Sequence, residues 1–101
     1  MLEPRLRAEL WTSWASLLRS YAAAHGLNSR LHAVVEVGAE EITLRAGSRW
    51  LRFTHNTMQH SDGEPLPFSL EENGTVRLNN GPKEEMDHAA EHLAREMMHS
   101  E

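Results

Sequence analysis

The sequence predicts an α+β fold: a helix, then a five-stranded antiparallel sheet made of two consecutive hairpin groups, then a second helix, with both helices packed on one sheet face. Three observations predict it. Apolar residues recur every three or four positions over 4–25 and again toward the C-terminus, the pattern of helices with one buried stripe. Between them the period switches to two, and glycine-bearing pairs punctuate the alternation. At 101 residues, with 40% hydrophobic and 25% charged content, the chain suits one domain spanning 1–101 that buries a core without staples.

The first helix is expected over 4–25. Leu6, Leu10, Trp11, Trp14, Leu17, Leu18 and Tyr21 fill an arc of roughly 140°, wide enough to lie across a sheet. Pro4 sits where a first-turn proline is tolerated, and Gly26 followed by Leu27 resembles a glycine cap at the C-terminal end. The aromatic residues share one face at helical spacing, which is the pattern of a core rather than of a ligand box.

Three strands follow: Leu31 to Val37, Ile42 to Ala46 and Arg49 to Thr54. Gly38-Ala39 and Gly47-Ser48 between them are glycine-first pairs, the preference of two-residue type II′ turns. Those loops set Val35 against Ile42, Ala33 against Leu44, Leu44 against Leu51, Ile42 against Phe53 and Glu36 against Glu41. One face then holds Leu31, Ala33, Val35, Ile42, Leu44, Ala46, Leu51 and Phe53, and a one-residue slip would scatter that set over both faces. A second hairpin runs through Leu66, Phe68 and Leu70, turns at Glu72-Asn73-Gly74, and returns through Val76 and Leu78. A three-residue loop with left-handed Gly74 sets Leu70 against Val76 and Phe68 against Leu78, whereas a two-residue turn would mismatch the faces. Residues 55–64 read as an irregular link between the hairpin groups. The last helix is expected from Gly81-Pro82 to about Met98, with Glu84, Glu85 and Asp87 in its first turns and Met86, Ala89, Ala90, Leu93 and Met97 buried.

Composition narrows function more than it assigns it. Without cysteine there are no disulfides, thiolate nucleophiles or thiolate metal sites. No apolar run approaches a membrane span, and the N-terminus lacks the basic start and apolar stretch of a signal peptide, so a cytoplasmic, non-membrane protein is expected. The net charge of −5 argues against nucleic-acid binding, which rests on clustered cations. That charge divides unevenly, +2 over residues 1–52 and −7 over residues 53–101.

Three groups of residues could carry chemistry. His88, His92 and His99 share a stripe of the last helix, and an i,i+4 histidine pair can grip a transition metal from one helical face. The stripe lies opposite the apolar one, so solvated surface is the competing explanation, and metal is not expected. The 55–64 link brings His55, His60, Asp62 and Glu64 into one stretch, yet no nucleophile stands beside a base there. The third group is the outer sheet face, where alternation places His32, Val34, Arg45, Trp50, Arg52 and Arg77. Arg45 falls opposite Trp50, which permits cation–π contact, and Trp and Arg are enriched at interface hot spots. The order helix–strands–helix is shared with frataxins and, loosely, with small acidic secretion chaperones. The stretch after the third strand lacks the tryptophan-bearing strand motif expected of frataxins, and shared element order is no functional warrant.

The expectation is a non-catalytic interaction module without a cofactor, homodimeric or binding another protein through the outer sheet face. The alternative is a transition-metal-binding protein that uses histidines of the C-terminal helix or of the 55–64 stretch. No catalytic residue is assigned.

Overall fold

The computed structural model describes residues 3–27 and 32–99, the side chain of His99 excepted. The chain runs α1 (Pro4–Gly26), β1 (Ala33–Val37), β2 (Ile42–Ala46), β3 (Arg49–Phe53), β4 (Thr57–His60), β5 (Leu66–Leu70), β6 (Thr75–Leu78), β7 (Lys83–Glu85) and α2 (Met86–His99). The seven strands form one antiparallel sheet in the order β1 to β7, curled as a half-barrel. The helix–sheet–helix order fits the expectation; the five-stranded sheet does not. Leu31, expected to open the first strand, lies outside the described residues.

Both added strands lack an apolar alternation. β4 occupies the stretch expected to be an irregular link, and its one buried residue is Met58, opposite Phe53 on β3 and Leu66 on β5. The turn before it is built by Thr54, whose hydroxyl accepts from the Thr57 amide at 3.0 Å while its own amide donates to the Thr57 carbonyl at 2.9 Å. β7 takes residues expected in the last helix. Asn79 and Asn80 both have positive φ, 52° and 58°, and the Gly81 amide closes the turn on the Leu78 carbonyl at 2.9 Å. Asparagine tolerates that left-handed pair, so the chain folds back along β6 before α2 starts. Gly26 likewise closes α1 as its last helical residue rather than as a left-handed cap.

The turn at Gly47 (φ 65°) sets Ile42 against Phe53, Leu44 against Leu51 and Arg45 against Trp50, as expected from a two-residue loop. Gly74 (φ 83°) does the same for Leu70 with Val76 and Phe68 with Leu78. The first hairpin corrects the expected register by two residues. The Gly38 amide bonds the Glu41 carbonyl at 2.8 Å, so the loop is Ala39-Glu40, and Val35 faces Leu44 while Val37 faces Ile42. A shift of two leaves every side chain on its face. It also replaces the expected Glu36–Glu41 opposition with Glu36 against Thr43, which removes a like-charge pair.

The inner face carries Ile42, Leu44, Ala46, Leu51, Phe53, Met58, Phe68, Leu70 and Val76 into a single core with both helices. Trp14, fully buried, meets Phe53 edge-on at 5.4 Å between ring centroids, and Phe68 at 5.7 Å. Ala15 and Ala22 of α1 and Ala89, Ala90 and Ala94 of α2 are all buried, and these small side chains let the helices approach closely. Along the helix pair, His25 sits 2.9 Å from Glu91, and the Tyr21 hydroxyl donates a short hydrogen bond to Asp87.

The Asp87 carboxylate holds the Tyr21 phenol above its ordinary value of 10.0, through that hydrogen bond first and by partial burial and charge repulsion after it. The bond needs the neutral phenol, so its stabilisation is complete below the unfolded value and disappears as pH rises through the folded one. Tyr21 is the chain's single tyrosine. Absorbance at 295 nm should therefore show one titration with its midpoint above 10.0, and Asp87→Asn should move that midpoint down.

Candidate protein-docking face

The outer face of β1–β3 collects four of the six residues expected there. Register aligns Val34, Arg45 and Trp50 in one row across the three strands. The next row is Glu36, Thr43, Arg52 and, on β4, Gln59. His32 is exposed just before β1, in line with Val34 by alternation. Arg77 is not part of the group: it lies on β6, between Ser69 and Lys83, three strands away from Trp50.

Charges pair within these rows. Arg45 turns to Glu36, Nε to Oε1 at 3.0 Å, rather than lying over Trp50. The cation over the indole is Arg52, its guanidinium carbon 4.4 Å from the ring centroid. Arg52 is two residues further along the same strand and face, a neighbour by pleat rather than across the ladder. Its Nε lies 3.8 Å from Glu41 and is buried without a hydrogen-bond partner. Thr43, between Glu36 and Arg52, is only 4% exposed although it faces outward, so the long side chains beside it close over the face. Trp50 is half-buried under this layer. The large apolar side chains exposed among the described residues are Leu27 at 85%, Val34 at 50% and Val37 at 43%, two of them on β1. Val34 lies on this face and Val37, by alternation, on the inner one, so the exposed apolar residue of this face is at β1 and not at the tryptophan.

His88 and His92 have ring centroids 5.7 Å apart, and His92 is engaged with Glu84 at 3.2 Å and Glu96 at 3.7 Å. Among the described residues no group of three or more His, Asp or Glu side chains is arranged to hold a metal ion, and the His99 side chain lies outside them. His55 lies in the turn closed by the Thr54–Thr57 backbone bond and His60 at the far end of β4, so the length of that strand separates them and they form no acid–base pair. His55 instead stacks on Trp11 at 4.1 Å, and its Nε2 donates to the Ala39 carbonyl at 2.8 Å. Trp11 Nε1 donates to the Gly38 carbonyl at 2.8 Å, so the two rings together hold the β1–β2 turn.

Comparison with protein-family models, curated proteins and solved structures finds no match. The geometry alone carries the functional reading.

One feature escaped the sequence. An open depression of about 490 Å³ lies between the start of α1 and the β5–β6 hairpin, lined by Arg7, His55, Ser69, Glu71 and Lys83 among others. Two of its charges are matched to each other: Lys83 approaches Glu71 at 3.8 Å, and the Ser69 hydroxyl donates to Glu71 at 2.8 Å. No sequence signal groups these residues, which come from four separate parts of the chain.

Proposed function

We propose that the protein is a non-catalytic interaction module that associates with a second copy of itself through the outer sheet face, at its β1 side. One observation carries the reading: half-exposed Val34 stands in one row with Arg45 and Trp50 at the β1 side of the outer face. Soluble monomers keep contiguous apolar surface small, and interfaces enrich arginine and tryptophan. Covering apolar area contributes about 25 cal/mol per Å², and the cost of association offsets much of it, so the dimer is of modest affinity.

Sedimentation equilibrium tests this. The parent is expected to show a mass that rises with concentration toward twice 11.5 kDa. Val34→Glu, at an exposed position, is expected to weaken association at least about tenfold by placing an acid in the contact. A parent that stays monomeric at high micromolar concentration overturns the reading.

A further inference from the structure

Resting on that reading, we infer that the two copies meet edge to edge, β1 pairing antiparallel with β1 of the second copy about a two-fold axis at Val35. The two outer faces then join into one continuous surface.

The hydrogen-bonding pattern says which backbone groups are free. The Gly38–Glu41 bond makes that residue pair a hydrogen-bonded one. Antiparallel ladders alternate, so Glu36–Thr43 and Val34–Arg45 are hydrogen-bonded pairs as well. The N–H and C=O groups of Ala33, Val35 and Val37 therefore point away from β2. Beyond the helices and ladders, no backbone bond among the described residues reaches them.

The two edges of the sheet differ. β7 is the charged tripeptide Lys83-Glu84-Glu85, and charges on an edge oppose strand addition. β1 is Ala-Val-Val-Glu-Val, five residues with a single charge. An open edge of this kind accepts another strand. Pairing β1 with itself uses up the open edge of each copy, and the guarded β7 edges stop growth, which gives a closed dimer rather than a fibre.

Register follows from the outward groups and from charge. Centring the axis on Val35 sets Ala33 against Val37 of the second copy and lets all three outward residues both give and receive a bond. Centring it on Glu36 would oppose two glutamates. Centring it on Val34 would leave Val37 without a partner among the described residues. In the Val35 register, Glu36 of one copy lies beside Val34 of the other, next to that copy's Arg45 in the same row. Glutamates and arginines then alternate across the seam. Both exposed β1 valines also gain cover, Val34 on the outer face and Val37 on the inner one. A five-residue seam buries less than a standard interface, in keeping with modest affinity.

Amide hydrogen exchange followed by NMR, with the mass measured in parallel, tests the inference. As the dimer fills, the Val35 and Val37 amides are expected to slow, roughly tenfold when about nine-tenths of chains are paired, while those of Val34 and Glu36 stay unchanged. Arg77→Glu, on β6 and outside the outer face of β1–β3, is expected to leave association intact. The chain has no cysteine. Under mild oxidation the double variant Val34→Cys/Glu36→Cys is expected to give a disulfide-linked dimer, and neither single variant is. A mass that doubles with Val35 exchange unchanged, and is lost in Trp50→Glu, means the faces stack instead: the edge inference falls while the proposed association stands. A chain monomeric throughout removes both.

Discussion

Phe53→Ala is expected to lower unfolding stability by about 3–5 kcal/mol, a large share of the roughly 5–15 kcal/mol that holds a domain of this size together. Phe53 is fully buried on β3, opposite Ile42 on one side and Met58 on the other. Its ring also lies 5.0 Å from Phe68 and 5.4 Å from Trp14, so truncation opens a cavity where strands β2 to β5 and helix α1 meet. Four flanking elements cannot all collapse into the space, which places the cost high in the range. At about 4–8 °C per kcal/mol the melting midpoint should fall by roughly 12–40 °C. Urea melts followed by circular dichroism should show the loss in the midpoint with little change in slope. A loss under about 1 kcal/mol would mean that Phe53 does not face the core and that the β2–β3 register is different.

That register was legible because Gly47-Ser48 allows only a short loop and the apolar sets on both strands agree with it. The β1–β2 register was not. Gly38 reads as a turn residue, yet it lies in the ladder with Glu41, and a slip of two keeps Val35 on the inner face either way. Hydrophobic patterning fixes the face and is blind to even shifts. Charge supplied what patterning could not, since the true register gives Glu36 a threonine opposite and Arg45 diagonally adjacent.

The missing strands follow the same logic. β4 offers one apolar residue, Met58, and gains its place by bridging β3 and β5 rather than by its own pattern. At β7, Pro82 just before the strand and the two acids after Lys83 mimic a helix start, while the two left-handed asparagines that redirect the chain carry only a weak signal. At the candidate face, alternation said correctly that Trp50 and Arg77 point outward. It could not say how many strands separate them, and the unseen β4 set them further apart. The choice of Arg52 over Arg45 as the cation on Trp50 depends on Glu36 having taken Arg45, a competition between side chains that no single-strand pattern records.

A second result with a large expected effect concerns Trp14, and its size depends on the replacement. Trp14→Ala should cost about 3–5 kcal/mol, as for Phe53, because the residue is fully buried between α1 and the sheet. Trp14→Phe should stay within about 1 kcal/mol of the parent. The indole Nε1 is buried without a hydrogen-bond partner, and an unsatisfied donor costs about 1–3 kcal/mol. Phenylalanine removes that donor, and the relief offsets the small void left by the lost part of the ring. Trp11 is the control one helical turn away. Its Nε1 donates to the Gly38 carbonyl at 2.8 Å, so Trp11→Phe breaks a made bond and loosens the turn that His55 also holds. The same chemical change should therefore cost about 1–2 kcal/mol at Trp11, the worth of the bond, and nearly nothing at Trp14. Chemical-denaturation midpoints of both variants decide it. If Trp14→Phe proves the more damaging of the two, the indole N–H has a partner, and the centre of the core is built around a hydrogen bond rather than around apolar contact alone.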